Sequence, residues 1–182
     1  DKGYAIMPVT THYRLDDELE AVEQLLSFGV DGVVLVVSDA AASQAVLRLR
    51  TQALPYVLVY NRHPDHPCVS VAGDAALGEI VQGLVSKRHR RIGMVCGRLT
   101  ASDRAQQRYA GFLEAMDMAG LAPCPLIEVP FIETAIREIA DALEAPTRPT
   151  ALVCSNDLIA MRAMRAAHEG GLRVPEDISI TG

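Results

Sequence analysis

Aromatic residues and long apolar runs are scarce in this sequence of 182 residues. It has five Tyr, three Phe and no Trp, so its core has to be built from Ala, Val, Leu and Ile. Such a core suits helices packed on parallel strands. No apolar run approaches the roughly 20 residues that cross a membrane, and residues 1–11 lack the charged segment and apolar stretch of a signal peptide. The sequence therefore predicts no membrane association.

The chain also lacks an excess of positive charge. Its 17 Lys and Arg against 23 Asp and Glu give a formal net charge of −6, which argues against a free-standing nucleic-acid-binding domain. The one basic run, residues 87–91, falls at a predicted helix C-terminus, where cations complement the helix dipole, and no aromatic residues are interleaved with it. With 49% hydrophobic and 22% charged residues, the composition is that of a globular protein.

Cysteines at metal-binding or redox spacing are absent. The four cysteines, Cys68, Cys96, Cys124 and Cys154, are widely separated, and none belongs to a C-x-x-C motif. We predict reduced, mostly buried thiols in a reducing compartment, with one disulfide as the alternative. No metal and no cofactor is predicted.

Motifs of catalysis and nucleotide binding are missing as well. The sequence has no G-x-x-x-x-G-K-[ST], no G-x-G-x-x-G after a strand, no G-x-S-x-G and no H-E-x-x-H. The acidic residues 16–18 precede a predicted helix, where they favour its dipole more plainly than they form a catalytic pair. No acidic residue or Cys at suitable spacing completes a metal site with His63 and His66. We predict that the protein is not an enzyme, and keep an α/β transferase as the least favoured hypothesis.

What the sequence does contain is a regular alternation of apolar runs of strand length and segments of helical period. The strands are predicted at residues 3–7, 33–37, 56–60, 68–71, 92–96, 126–129, 151–154 and 178–181. The run 33–37 is entirely apolar, as in a strand covered on both faces, and Thr100 and Asp103 are predicted to cap the longest helix. This alternation predicts an α/β fold with parallel sheets and helices on both faces. The proline-rich segment 61–67 is the predicted boundary between two lobes.

Polar residues cluster just after the predicted strands. Because open parallel sheets bind ligands at the carboxyl ends of their strands, we examined segments 10–12, 61–63, 98–104 and 154–157 as candidate ligand contacts. Asn156 and Asp157 fit a helix N-cap and also hydrogen bonds to vicinal hydroxyls, and the two roles are compatible. Arg104 and Arg108 lie four residues apart on one helix face, as two solvated arginines or as forked donors converging on a polar ligand.

Five stretches in order along the chain are similar to the effector-binding core of LacI/GalR-type transcription regulators. They are V-D-G-V-V-L at 30–35, H-R-R-I-G at 89–93, R-Y-A-G-F at 108–112, R-P-T-A at 148–151 followed by N-D at 156–157, and G-L-R-V-P-E-D-I-S at 171–179. The last stretch is the most specific, and together they are spread over most of the chain, from residue 30 to residue 179.

The resemblance implies a two-lobed periplasmic-binding-protein-like fold with a small effector in the cleft between the lobes. Residues 1–72 would form an incomplete N-terminal lobe and residues 73–182 the C-terminal lobe. The effector-binding domain as a whole is expected to be truncated at both ends, and the helix-turn-helix DNA-binding domain is not expected in this sequence. The expected protein is a cytoplasmic homodimeric regulator. Its effector, a sugar, a sugar acid or a nucleobase, would change the affinity for operator DNA. The alternative function, with the same fold, is a secreted solute-binding protein for carbohydrate uptake.

Effector-binding residues follow from the same resemblance. They are expected to be Arg108, Asn156, Asp157, Ser102, Arg104, Phe131, Asn61 and Arg62. Phe131 would stack on a sugar or base face or belong to the core, and Asn61 and Arg62 would act from the first lobe. The sequence departs from the family pattern at Arg88, where a glycine with left-handed backbone is usual, and at Ala72-Gly73, where Asp-Asn is usual.

Overall fold

The chain folds into two compact units, Asp1–Val71 and Ala72–Gly182, which are described separately. A computed structural model describes residues 3–11, 14–130 and 136–182. Each unit is built on a parallel sheet. The assignment of residues 1–72 and 73–182 to an incomplete first lobe and a second lobe stays a prediction.

The first unit has a three-stranded sheet in the order β1-β2-β3. Its elements are α1 Leu15–Ser27, β1 Val33–Leu35, α2 Gln44–Thr51, β2 Tyr56–Val59 and β3 Cys68–Val69. Leu58 at the centre of the sheet pairs with Leu35 on one side and with Cys68 on the other. Val22 of α1 and Leu49 of α2 pack with Val33 in a buried cluster, so both helices lie on the same face of the sheet.

Two sequence predictions about the first unit are wrong. Residues 3–7 form no strand, because no strand among the described residues lies beside them to share backbone hydrogen bonds. The run 33–37 is not covered on both faces, since the side chain of Val34 is 73% exposed. An apolar run predicts a strand, but only the neighbouring elements decide which faces are covered.

The second unit has a four-stranded sheet in the order β5-β4-β6-β7. Its elements are α3 Gly73–Ser86, β4 Ile92–Gly97, the 3-10 turn Leu99–Ala101, α4 Asp103–Met118, β5 Ile127–Val129, α5 Arg137–Glu144, β6 Ala151–Cys154, α6 Asp157–Glu169 and β7 Ser179–Thr181. Val95 of the central strand β4 pairs with Ile127 of β5 and Cys154 of β6.

Helices cover both faces of the second sheet. Side chains alternate along β4, so Met94 and Cys96 join the cluster formed with α3 and α4, whereas Val95 joins the cluster formed with α5 and α6. Phe112 of α4 and Ile159 of α6 are the fully buried anchors of the two clusters. The predicted α/β class with parallel sheets is confirmed, and in this unit the helices lie on both faces as predicted.

Two helix ends bear on the sequence predictions. The side chain of Ser102, and not Thr100 with Asp103, caps α4, because the Ser102 hydroxyl accepts a hydrogen bond from the Ala105 N–H at 3.4 Å. Arg88 has φ +69° and follows α3 in a Schellman arrangement, with its N–H bonded to the Val85 carbonyl and the next N–H bonded to the Leu84 carbonyl. Arg88 therefore adopts the left-handed backbone that the position requires.

Among the described residues, no helix combines the length and the apolarity that a membrane span requires.

Candidate functional site

The candidate site in the second unit lies at the carboxyl ends of two neighbouring strands. β4 and β6 pair in parallel, so the segment that follows Gly97 and the segment that follows Cys154 emerge at the same edge of the sheet. The first leads through the 3-10 turn into α4, and the second leads directly into α6. Polar side chains from both segments are therefore collected at one edge, where parallel α/β sheets bind their ligands.

The segment after β4 is held by hydrogen bonds to its backbone. The Leu99 N–H donates to Oε1 of Glu128 on β5 at 2.7 Å, and Nε2 of Gln106 donates to the Leu99 carbonyl at 2.8 Å. Ser102 then caps α4. These bonds fix the direction in which α4 leaves the sheet, and with it the positions of the arginines in its first turns.

Arg104 and Arg108 are the two cations of the site. Nη1 of Arg104 lies 3.5 Å from Oδ1 of Asp103, and the two side chains are only 12% and 14% exposed. Arg108 is half-buried and lies over Gly73 at the start of α3, where a Cβ on the glycine would be 3.4 Å from the arginine Nε. Burial, and then the charge of Arg104, lower the pKa of Arg108. Keeping Arg108 in its charged form therefore costs free energy in the folded protein.

Asn156 and Asp157 begin α6. Oδ1 of Asn156 accepts a hydrogen bond from the Ile159 N–H at 3.0 Å, so the amide caps the helix. Its Nδ2 group makes no hydrogen bond with the described residues and remains a donor for a ligand. The exposed carboxylate of Asp157 lies in the first turn of the same helix. The structural role and the binding role of this pair are therefore compatible in geometry, as the sequence suggested.

Asn61 and Arg62 belong to the first unit. Asn61 is fully buried, with Oδ1 accepting from the Val37 N–H at 3.0 Å and Nδ2 donating to the Val37 carbonyl at 2.8 Å. The amide therefore joins the segment after β2 to the segment after β1. Arg62 is exposed. Their assignment to effector binding stays a prediction, and the geometry of Asn61 favours a scaffolding role.

The second unit collects five of the eight residues that the sequence predicted. Ser102, Arg104, Arg108, Asn156 and Asp157 share one edge of the sheet, whereas Phe131 lies outside the described residues.

Sequence reasoning missed two side chains that hold this edge together. Glu128 supports the turn after β4, and Nη1 of Arg162 donates to the Pro130 carbonyl at the end of β5 at 3.0 Å. A charged residue inside a short apolar strand was the available signal for Glu128.

Metal ligation finds no support among the described residues, which contain no group of three or more His, Cys, Asp or Glu side chains able to hold an ion. His63 and His66 do lie close together, with ring centroids 4.6 Å apart. Nδ1 of His66 is 2.8 Å from the Tyr56 hydroxyl, however, and Nδ1 of His63 accepts from the Asp65 N–H. The histidines are therefore engaged in local hydrogen bonds.

Comparison with known families identifies the fold. Residues 81–182, which span the sheet edge described above, match the Periplasmic binding protein-like domain. The chain belongs to this family. As a periplasmic binding protein-like domain it has the architecture that the sequence resemblance implied, and the resemblance to LacI/GalR-type regulators is confirmed by the relatives below.

The relatives of this periplasmic binding protein-like domain are transcription regulators. It is 31% identical to the HTH-type transcriptional repressor PurR of Pasteurella multocida, over all of the chain and 55% of that protein. It is also 31% identical to the HTH-type transcriptional regulator MalR of Streptomyces coelicolor, over all of the chain and 56% of that protein. A solved regulatory protein of the LacI family from Chloroflexus aggregans superimposes with a TM-score of 0.76 at 28% identity, over 97% of this chain and 64% of the other.

The domain spans about half the length of these curated relatives. Their names describe regulators of transcription and not enzymes, in agreement with the prediction of a non-enzymatic protein. The alternative of a solute-binding protein for carbohydrate uptake is not favoured by these relatives.

Proposed function

We propose that the protein is a LacI-type transcription regulator and that this domain senses a small molecule. The effector binds at the polar edge of the second unit and changes the affinity of a helix-turn-helix domain for operator DNA. The regulator acts in the cytoplasm as a homodimer. Kinship with named transcription repressors and regulators supports this function.

The observation that carries the proposal is the half-buried side chain of Arg108 beside the start of α3. Arg108 makes no hydrogen bond or ion pair with the described residues, so its guanidinium does not stabilise the fold through polar contacts. Partly buried cations of this kind are typical of binding sites. Arg108 and the free Nδ2 of Asn156 donate to the effector, and the carboxylate of Asp157 accepts from its hydroxyl groups. Arg104, Ser102 and Phe131, with Asn61 and Arg62 of the first unit, complete the proposed set.

The effector is a sugar, a sugar acid or a nucleobase. All three present hydroxyl, carbonyl or ring nitrogen atoms that match arginine, amide and carboxylate groups. The relatives named PurR and MalR do not decide between these classes.

Isothermal titration of the full-length protein against a panel of sugars, sugar acids, nucleosides and nucleobases tests the proposal. We expect one class to bind, and Arg108→Ala to weaken that binding by at least about tenfold because a charged hydrogen bond is lost. Arg165→Ala, which removes an exposed arginine of α6 from an ion pair, is the matched control and should bind normally. Equal binding by Arg108→Ala would contradict the site, and no binding by any compound would contradict the sensing role.

A further inference from the structure

The edge of the second sheet opposite the candidate site carries a group of cations. The turn that joins α3 to β4 lies at the amino ends of the strands. Four exposed residues of this turn, which we call the basic edge, are Lys87, Arg88, Arg90 and Arg91. The loop before β6 adjoins them, because Nε of Arg91 donates to the Arg148 carbonyl at 3.1 Å.

The charges of the basic edge have no paired carboxylate. None of its four side chains forms an ion pair within the described residues. Other arginines in this part of the second unit do form such pairs, since Arg165 pairs with Glu169 and Arg173 pairs with Asp177. In a chain of net charge −6, the basic edge is therefore a locally positive surface.

The dipole of α3 accounts for only part of this charge. Nη1 of Arg90 donates to the carbonyls of Val85 and His89 at 3.2 and 3.0 Å, so Arg90 serves the end of the helix. The side chains of Lys87 and Arg88 make no hydrogen bond with the described residues.

Arg88 stands at a position where an arginine is unfavourable for the backbone. Its φ is +69°, and glycine, which the family pattern has there, would adopt this conformation freely. The strain exceeds what an exposed charge gains from a helix dipole. Strained backbone that stabilises nothing locally is typical of residues that bind a partner.

A small apolar segment borders the basic edge. Residues 121–125 follow α4, and the Cys124 N–H donates to the Ile92 carbonyl at 3.0 Å. The charge of Arg91 reaches the same cysteine, where it opposes the rise in pKa that burial causes. The exposed residues of the segment are Ala122, Pro123 and Pro125. Cations and apolar side chains therefore form one continuous surface.

The chemistry of this surface fits a protein better than a nucleic acid or a free phosphate. Helix C-termini face this edge, so the backbone offers carbonyl groups and not the N–H groups that typically surround bound phosphate. The exposed carboxylates of Glu144 and Glu176 lie at the same edge and would repel a long duplex. Guanidinium groups match carboxylates in forked pairs, and apolar contacts are typical of protein partners.

We propose that the basic edge and residues 121–125 form a docking surface for an acidic segment of a partner protein. Carboxylates of the segment pair with the arginines, and an apolar side chain of the segment packs on Pro123 and Pro125. The surface lies at the edge of the sheet opposite the candidate site, so the inference does not depend on the identity of the effector.

Fluorescence anisotropy of labelled peptides tests the proposal with the full-length protein. The probe is a short synthetic peptide of Asp, Glu and Leu, and its matched control has Asn and Gln in place of the acidic residues. We expect the acidic peptide to bind at least about tenfold more tightly, and its affinity to fall as ionic strength rises. A third peptide with Ser in place of Leu should bind about threefold or more weakly than the probe, because it loses the apolar contact.

Three variants localise the binding. Arg88→Gly removes a cation and keeps the backbone conformation, and Arg91→Gln removes a second cation. We expect each to weaken binding of the acidic peptide by about threefold or more, and both together by about tenfold or more. Arg137→Gln removes the same charge from the exposed start of α5, at the opposite edge of the sheet, and should bind normally. Circular dichroism confirms that the variants are folded.

Three results would overturn the proposal. The first is equal binding of the acidic and the amide peptide. The second is that Arg88→Gly and Arg91→Gln bind the acidic peptide no more weakly than Arg137→Gln does, since binding would then follow net charge alone. The third is that these two variants lose affinity for a DNA duplex of random sequence and keep their affinity for the peptide, because the basic edge would then bind nucleic acid.

Discussion

A single residue, Arg88, carries backbone strain at the end of α3. Its φ of +69° is a conformation that costs a residue with a side chain about 1–2 kcal/mol, and glycine adopts it freely. We expect Arg88→Gly to raise the free energy of unfolding by about 1 kcal/mol, because the strain is removed while the two Schellman hydrogen bonds remain. Urea unfolding followed by circular dichroism measures the change.

The control for Arg88→Gly is the residue before it. Lys87 has φ −83°, so Lys87→Gly relieves no strain and should not stabilise the protein. Equal effects of the two substitutions would show that the left-handed position is not strained. The sequence indicated this position, because the family pattern has glycine there, and the structure supplies the physical reason.

The buried amide of Asn61 is the second prediction at the scale of the residue. Asn61→Ala removes the two hydrogen bonds that this buried side chain makes with the backbone of Val37, so we expect a loss of about 2–3 kcal/mol in the free energy of unfolding. Ser70→Ala, at an exposed position nearby, should change stability by no more than about 0.5 kcal/mol. Urea unfolding distinguishes them, and similar effects would argue against the scaffolding role.

Sequence alone could not separate the two roles of Asn61. The amide of an asparagine that follows a strand has an NH2 donor group and a carbonyl acceptor, which match a ligand and also match the backbone of one residue. Which role Asn61 takes depends on the distance between its side chain and the backbone of Val37. These residues are 24 positions apart in sequence and meet only in the folded chain. The same limit applies to Asn156, whose cap geometry leaves its Nδ2 group for binding.

Two helices approach closely where α4 crosses α3. A Cβ on Gly111 would lie 2.8 Å from Cα and the carbonyl oxygen of Asp74, so the helices have no room for a methyl group. We expect Gly111→Ala to destabilise the protein by about 1–3 kcal/mol, because overpacking outweighs the better helix propensity of alanine. Gly83→Ala, in α3 with nothing within 4 Å, should instead stabilise by up to about 1 kcal/mol. Thermal unfolding of both variants measures the contrast, and the same sign for both would contradict it.

His89 connects the entries of three strands. Its Nδ1 lies 3.0 Å from the Thr150 hydroxyl before β6, and its Nε2 lies 3.1 Å from the Ser179 hydroxyl in β7. The Thr150 hydroxyl also donates to the Arg91 carbonyl, so it accepts from Nδ1–H. Nε2 of the neutral ring then accepts from Ser179. A protonated ring would lose that acceptor.

This network predicts a pH dependence. Burial, and then the charge of Lys87, lower the pKa of His89 below its ordinary value of 6.5. Well above pH 6.5 neither the folded nor the unfolded chain carries the proton, and stability does not depend on this group. Below it the unfolded chain takes up the proton first, so stability falls as the pH is lowered. His66, whose pKa is lowered as well, adds to the same trend.

Unfolding between pH 5 and pH 7 separates the contribution of His89. The free energy of unfolding should fall more steeply with acid in the natural protein than in His89→Gln, whose side chain has no proton to take up in this range. Parallel curves for the two proteins would contradict the network, and the residual slope belongs to His66 and the other groups.

Some elements of the fold can be predicted from the local sequence, and others cannot. The strands of the second unit are predicted within one or two residues, because each is a short, mainly apolar run between turn residues, and β4 and β6 are buried on both faces. Residues 3–7 have the same pattern without a neighbouring strand, so they form none. Whether an apolar run forms a strand depends on a neighbouring strand with which it can pair, and the local sequence pattern carries no information about that neighbour.

The two sheets of the molecule are covered by helices to different extents. β4 and β6 lie under helices on both faces, whereas Val34 of β1 is exposed. We expect backbone amides of β4 and β6 to exchange with deuterium more slowly than those of β1 and β2, since opening the second sheet exposes more apolar area. Hydrogen exchange with mass spectrometry, corrected for intrinsic rates, measures this. Equal protection of the two sheets would contradict the difference.

The buried thiols of Cys96 and Cys154 make it possible to measure how often the second unit opens. Burial raises the pKa of each to about 12, so in the folded protein at neutral pH almost no thiolate exists to attack a thiol reagent. The two side chains lie on opposite faces of one sheet. Reagent can reach both only when the two helical layers separate, so the rate of their modification reports how often the unit opens as a whole.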